Sequence, residues 1–239
     1  MKKINSLILV FTFLILSCQQ PGGDTGIRWV DESVEYAGLC VQTYRAAWQF
    51  VESQANATDE NWAVVLDVDE TVLNNTGYQK ELFETGVGHS ADRWDAWTRR
   101  EEATPVPGAK IFLDQVRALS EKAQVVFITN RTAGQEEVTK NNLKKYGLWS
   151  DNDVLMGKKN SDDSKEVRRQ EVITGSGRCE GKGPRKIIAL FGDQLADLEA
   201  PQKSDSMKNM REAYVTRGEW GARYFMFPNP MYGYWERGY

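Results

Sequence analysis

The sequence predicts an α/β fold: a Rossmann-like three-layer sandwich on a parallel sheet, with a small, mostly helical cap. Two observations carry this. The short apolar runs at 63–66, 125–128 and 187–191 lack polar alternation, as strands buried on both faces require. Helical patterns at about 109–122 and 135–146 lie between them, and strands alternating with helices build parallel sheets with right-handed crossovers. A polar segment over 78–100, carrying Trp94 and Trp97, interrupts the connection after the first run and reads as the cap.

At the N-terminus, Lys2 and Lys3 precede an apolar stretch over 7–16 that is too short to span a bilayer. It reads as an export signal occupying residues 1–17. The string Ile15-Leu16-Ser17-Cys18 resembles the bacterial lipobox, whose cysteine is lipidated and becomes the first residue of the mature chain. Cys18 is therefore the candidate lipidation site, with acyl chains as a membrane anchor. Residues 18–28, polar and Gly-rich, suit a lipidated tether. The expected location is the outer membrane, periplasm or cell surface, since Gln19 is not an inner-membrane retention signal of the Asp type.

One domain is expected over 29–239, with the cap inserted at about 78–104. Val30, Val34, Ala37, Val41, Tyr44, Ala47 and Trp48 recur at helical spacing, which predicts one long amphipathic helix over about 29–53. Pro105, Pro107 and Gly108 close the cap, and Pro107 suits the first turn of the next helix. The Gly-rich, basic stretch at 175–184 matches neither P-loop nor dinucleotide spacing and reads as an exposed loop.

Composition narrows the chemistry. A chain of 239 residues, 41% hydrophobic, buries one substantial core with room for an accessory unit. A net charge of -4 gives no general attraction for nucleic acid, so an anionic substrate must be captured by local charge. One histidine and three cysteines are too few for a zinc centre, and nothing resembles a serine- or thiol-based hydrolytic constellation. With Cys18 assigned to the lipid, an oxidising compartment permits a disulfide between Cys40 and Cys179. The position of Cys40 in the amphipathic pattern suits a small buried residue instead.

Parallel sheets bind ligands beyond the carboxyl ends of their strands, and these ends carry Asp67, Thr129 and Asp193. Asp67 and Asp69, two apart on extended chain, face the same side. Capping or turn aspartates would account for either alone, but poorly for the combination. Four elements stand in order: Asp67-Val68-Asp69-Glu70-Thr71; Thr129-Asn130-Arg131; Lys165 within Ser164-Lys165-Glu166-Val167-Arg168; and Gly192-Asp193-Gln194-Leu195-Ala196-Asp197. In these the chain resembles the haloacid dehalogenase (HAD) superfamily, which implies a HAD-like form of the fold. The resemblance narrows to the class C acid phosphatases, the lipoprotein e(P4) 5'-nucleotidase family. It rests on the lipobox-like Cys18, the extended first motif, Trp94-x-x-Trp97 ahead of Pro107-Gly108, and Pro228-Asn229-Pro230-Met231-Tyr232-Gly233. Two positions depart: Gln194 replaces the usual Asn, and Leu198 a common aromatic.

Phosphate-monoester hydrolysis is very slow uncatalysed, so a site must supply a nucleophile and neutralise charge. The resemblance implies Asp67 as the nucleophile, forming an aspartyl-phosphate, and Asp69 as proton donor and then acceptor. It implies Mg²⁺ held by Asp67, Asp193 and the Asp69 backbone carbonyl, with Asp197 acting through water. Thr129, Asn130 and Lys165 become phosphate-binding candidates. Trp94 and Tyr232 match aromatic positions that sandwich a nucleobase or nicotinamide ring, so nucleoside 5'-monophosphates or nicotinamide mononucleotide are the expected substrates. A HAD sugar phosphatase or phosphomutase is the alternative enzyme, and a haem-capturing surface lipoprotein the alternative class. His89, the sole histidine, lies in a polar stretch and reads as solvated, not as an iron ligand. Expected partners are a phosphorylated small molecule, the membrane through the anchor and, left open, a second copy in a homodimer.

Overall fold

The computed structural model describes residues 25–200 and 206–236. The predicted export signal, Cys18 and the tether up to residue 24 lie outside the described residues. In chain order, α1 (Thr25–Glu32) and α2 (Val34–Asn56) lead into β1 (Trp62–Leu66). Then come β2 (Leu73–Asn74), α3 (Thr76–Thr85), α4 (Ala91–Thr98) and β3 (Thr104–Pro105). The remainder is α5 (Ala109–Leu119), β4 (Ala123–Thr132), α6 (Glu136–Lys145), β5 (Val154–Lys158), α7 (Lys165–Thr174), β6 (Lys186–Gly192), α8 (Leu195–Leu198), α9 (Met207–Val215) and β7 (Tyr224–Met226).

Five strands form the main sheet in the order β5-β4-β1-β6-β7, every pairing parallel. The chain moves from β1 to β4 and β5 on one side, then returns to β6 and β7 on the other. That reversal opens a crevice at the carboxyl end of β1, between the ends of β4 and β6.

Both faces of the sheet are covered, which accounts for the unbroken apolar runs. Trp62, Val64 and Leu66 of β1 join Val125 and Phe127 of β4 in one core, beneath Tyr44 and Ala47 of α2 and Phe112 and Leu113 of α5. Ala63 and Val65 join Val126 and Ile128 in the other, with Val172 of α7. The result is the three-layer α/β sandwich the sequence predicts. β6 carries one extra residue opposite the step from Ala63 to Val64, so Ile188 and Ala189 both reach the first core.

Several boundaries differ from the sequence reading. The long N-terminal helix is two helices, because Ser33 leaves helical geometry (ψ 139°) and its hydroxyl accepts the Tyr36 N–H at 3.0 Å. α1 begins at Thr25, inside the stretch expected to be tether, and buries Ile27 and Val30. β5 and β7 add two strands to the three that were legible. Gly108 caps α5 in a left-handed conformation (φ 90°), which puts Pro107 just ahead of the helix. A Cβ there would come within 3.1 Å of the Tyr44 ring. Cys40 and Cys179 are free and lie in opposite cores, so the disulfide option is not realised. The cap segment holds α3 and α4, bracketed by the antiparallel pair β2–β3. Among the described residues, no helix is long and apolar enough to cross a membrane.

Candidate active site

Asp67 directly follows β1, and its N–H donates to the Phe191 carbonyl of β6 at 3.0 Å, tying the first motif to the fourth. Beyond it the chain turns tightly. Glu70 takes φ 58°, a left-handed conformation uncommon for a side chain of this size, and its N–H donates to the Leu73 carbonyl at 2.7 Å. The turn swings Asp69 into the crevice beside Thr129, at the end of the apolar part of β4.

Asp67, Asp193 and Asp197 converge, with one carboxylate oxygen of each within 4.8 Å of the others. Lys165, at the start of α7, is buried among them: its ammonium donates to Asp67 Oδ1 and pairs with Asp197 Oδ1 at 2.6 Å. Asp193 Oδ2 accepts from Gln194 Nε2 at 2.7 Å and from Asn229 Nδ2 at 2.8 Å. Asp197 Oδ2 accepts the Gln194 N–H at 2.8 Å, which folds α8 back over the strand end. Asp197 thus reaches the cluster from inside α8, whereas Asp193 precedes that helix.

The electrostatics are unbalanced. Burial pushes the Asp67 carboxyl well above the usual range; Lys165 opposes this, while Asp197, Asp193 and Asp69 add to it. Asp193 is pushed up to about 7 by burial and by Asp197, against the hydrogen bonds from Asn229 and Gln194. Burial pulls Lys165 down, but Asp197 and Asp67 outweigh it and hold it charged above its ordinary value. Three carboxylates against one ammonium leave negative charge that a bound cation would relieve. The donor set is all oxygen, which fits a hard divalent cation.

The Asp69 side chain lies apart from that cluster. Its carboxylate accepts from Arg131 Nη2 at 2.7 Å, Arg131 Nε at 3.0 Å, Asn75 Nδ2 at 2.9 Å and the Thr129 hydroxyl at 3.3 Å. Arg131 itself is only 1% exposed.

Comparisons with known proteins identify the family. Residues 11–235 match the profile of the HAD superfamily, subfamily IIIB (acid phosphatase). The chain belongs to that family. The class C acid phosphatase from Bacillus anthracis is similar in structure, with a TM-score of 0.74 and 29% identity over 88% of this chain and 85% of that one. The tungstate-bound structure of that Bacillus anthracis phosphatase matches equally. Among curated proteins, a stem 28 kDa glycoprotein of Glycine max is 24% identical over 168 residues, and a stem 31 kDa glycoprotein 23% over 188. The first match covers 70% of this chain and 58% of that protein; the second covers 77% and 64%. The chain therefore spans about three-fifths of the length of these curated relatives.

Within this acid phosphatase scaffold, the remaining predicted residues divide. Thr129 is buried within β4, where the apolar run ends but the strand continues to Thr132, and its backbone carbonyl is held by Arg168 Nη1 at 2.5 Å. The Asn130 side chain is exposed and turned to Arg168 Nη2 at 3.4 Å, so it is not brought into the cluster. Trp94 lies on α4 with the Arg131 guanidinium 5.6 Å from its ring centroid and Tyr78 edge-on at 5.1 Å. The Tyr232 hydroxyl donates to Glu70, a buried carboxylate that also accepts the Asn75 N–H at 2.8 Å. Tyr232 is thereby fixed by its polar end, beyond the ring-stacking expected of it. Trp97 is buried, and its indole N–H donates to Asn75 Oδ1 at 2.8 Å. His89 is exposed, with Nδ1 3.0 Å from the Tyr78 hydroxyl.

The sequence reading assigned no role to Arg131, Asn75, Glu70 or Asn229. Gln194 was noted only as a departure, yet it bonds Asp193 and accepts the Tyr234 N–H at 3.0 Å, joining the acidic cluster to the C-terminal segment.

Gly192 makes a sharp prediction. A Cβ at this position would fall 2.2 Å from the Asp197 Cβ, so any larger residue displaces Asp197. Gly192→Ala is expected to destabilise the fold by roughly 1–3 kcal/mol, as overpacking does. It should also weaken divalent-cation binding, read by calorimetric titration. Unchanged affinity would contradict a role for Asp197 in the cation site.

Proposed function

We propose that this chain is a Mg²⁺-dependent phosphomonoesterase acting through an aspartyl-phosphate on Asp67, with nucleoside 5'-monophosphates or nicotinamide mononucleotide as substrates. The observation that carries the reading is the convergence of Asp67, Asp193 and Asp197 around Lys165 at the strand ends.

In the first half-reaction an Asp67 oxygen attacks phosphorus as the ester P–O bond breaks, and Asp69 delivers its proton to the leaving oxygen. In the second, Asp69 takes a proton from water as the water oxygen attacks the same phosphorus, releasing phosphate and restoring the Asp67 carboxylate. Lys165 and the Thr129 hydroxyl offset the charge that builds on the transferring oxygens. Mg²⁺, held by Asp67, Asp193 and the Asp69 backbone carbonyl with Asp197 through water, would screen the repulsion between nucleophile and phosphate dianion.

The ring preference is supported by Trp94 on the cap and Tyr232 on the C-terminal segment, two aromatic side chains tied by Arg131 and Glu70 to the loop that bears Asp69. The test is a panel of nucleoside monophosphates and sugar phosphates on wild type and Trp94→Ala. Loss of one base-stacking contact, about 1–3 kcal/mol, predicts kcat/KM falling roughly fivefold to 150-fold on the ring-bearing esters and little on the sugar phosphates. Equal losses on both classes would remove the stacking role.

A further inference from the structure

We infer that Arg131 is the positioning residue that aims Asp69 for proton transfer and leaves Asp69 Oδ2 as the oxygen that carries the proton; this rests on the phosphatase reading proposed above. An aspartate on a turn has two side-chain torsions to fix, and proton transfer demands that both be fixed. Arg131 projects from β4 with its guanidinium fully enclosed. Its Nη1 donates to the Thr139 hydroxyl at 3.2 Å, and its N–H to Thr129 Oγ1 at 3.0 Å. The fork is thus anchored independently of the carboxylate it holds.

The two oxygens of Asp69 are treated differently. Oδ1 accepts three bonds, from Arg131 Nη2 and Nε and from Asn75 Nδ2, at 2.7, 3.0 and 2.9 Å. Oδ2 has only long contacts, 3.3 Å to Arg131 Nε and 3.3 Å to the Thr129 hydroxyl. A carboxyl oxygen surrounded by donors has no room for a proton of its own, so the oxygen open to proton exchange during turnover is Oδ2, on the side of Thr129. As Asp67 bonds to phosphorus and the ester P–O bond breaks, the Oδ2–H bond breaks and the leaving oxygen takes the proton. Arg131 then pairs with the carboxylate that remains. In the return step Oδ2 accepts a proton from the attacking water.

A merely structural ion pair, tying β4 to the first motif, would make every ester suffer alike when it is lost. A positioning role makes the loss depend on the leaving group, because a stable aryloxide departs unprotonated and an alkoxide does not. The experiment measures kcat/KM, which reports steps up to leaving-group departure, for 4-nitrophenyl phosphate, phenyl phosphate and an alkyl phosphate. Arg131→Lys keeps the charge and removes the fork. The expected losses are less than about tenfold on 4-nitrophenyl phosphate, rising to on the order of 100-fold on the alkyl ester. The same factor on all three overturns the inference. Thr139→Val, which removes only the Nη1 contact, should give the same graded pattern at smaller amplitude and carries the test if Arg131→Lys does not fold. A uniform loss there is equally adverse. Wild-type protein inactive on all three esters would instead defeat the phosphatase reading itself.

Discussion

Asp67→Asn is expected to lower kcat/KM on an aryl phosphate by on the order of 10⁴-fold or more, the scale seen when a catalytic nucleophile is removed. The amide keeps the shape of the side chain but has no anionic oxygen to offer phosphorus. The same substitution should leave the fold intact or stabilise it. Asp67 is buried beside Asp193 and Asp197, and burial already drives its carboxyl toward the neutral form. A neutral isostere relieves that repulsion, at the cost of one partner for Lys165. Steady-state kinetics together with a thermal melt separate the two effects. Activity within tenfold of wild type would remove Asp67 as the nucleophile, and a collapsed melting temperature would mean that the Lys165 pair, not the chemistry, dominates.

Removing the cation is the second large effect. Dialysis against a chelator is expected to take activity to background, and Mg²⁺ to restore it. Without the cation, Lys165 alone faces three carboxylates, and a phosphate dianion adds further negative charge to the same crevice. Binding should also raise stability by linkage, about 2.7 kcal/mol when the free cation is at 100 times its Kd. That gain is visible as a rise in melting temperature for wild type and a smaller rise for Asp193→Asn. Full activity after exhaustive chelation would contradict the cation-dependent mechanism.

The parts of this fold that were legible in the sequence are those where a single physical requirement writes a local pattern. β1, β4 and β6 are central strands covered on both faces, so their sequences are continuous apolar runs. β5 and β7 are the edge strands; Val154–Lys158 includes Gly157 and Lys158, and Tyr224–Met226 is three residues long, too little for a run to stand out. The break at Ser33 was hidden because apolar spacing continues on both sides of it, and only the cap hydrogen bond reveals the interruption.

The candidate site divides in the same way. Asp67, Thr129 and Asp193 were legible because each closes a strand run, and Asp69, Lys165 and Asp197 because they sit at fixed offsets in the motifs. What supports them was not, since it depends on long-range geometry. Arg131 holds Asp69 across 62 positions, and Asn229 holds Asp193 across 36. Asn130 shows the converse: its place in a motif suggested a phosphate contact, while the structure turns its side chain to Arg168.

On the proposed mechanism Asp67 carries the phosphoryl group between two half-reactions. Asp69→Asn is expected to slow the second half most with an aryl phosphate, because the aryloxide leaves without a proton while the attacking water still needs a base. The decisive measurement is to acid-quench that variant with 4-nitrophenyl phosphate and Mg²⁺ and map the phosphoryl group by peptide mass spectrometry. Phosphate is expected on the peptide containing Asp67. An unmodified Asp67 peptide during active turnover, with phosphate appearing only in solution or on another residue, would contradict it.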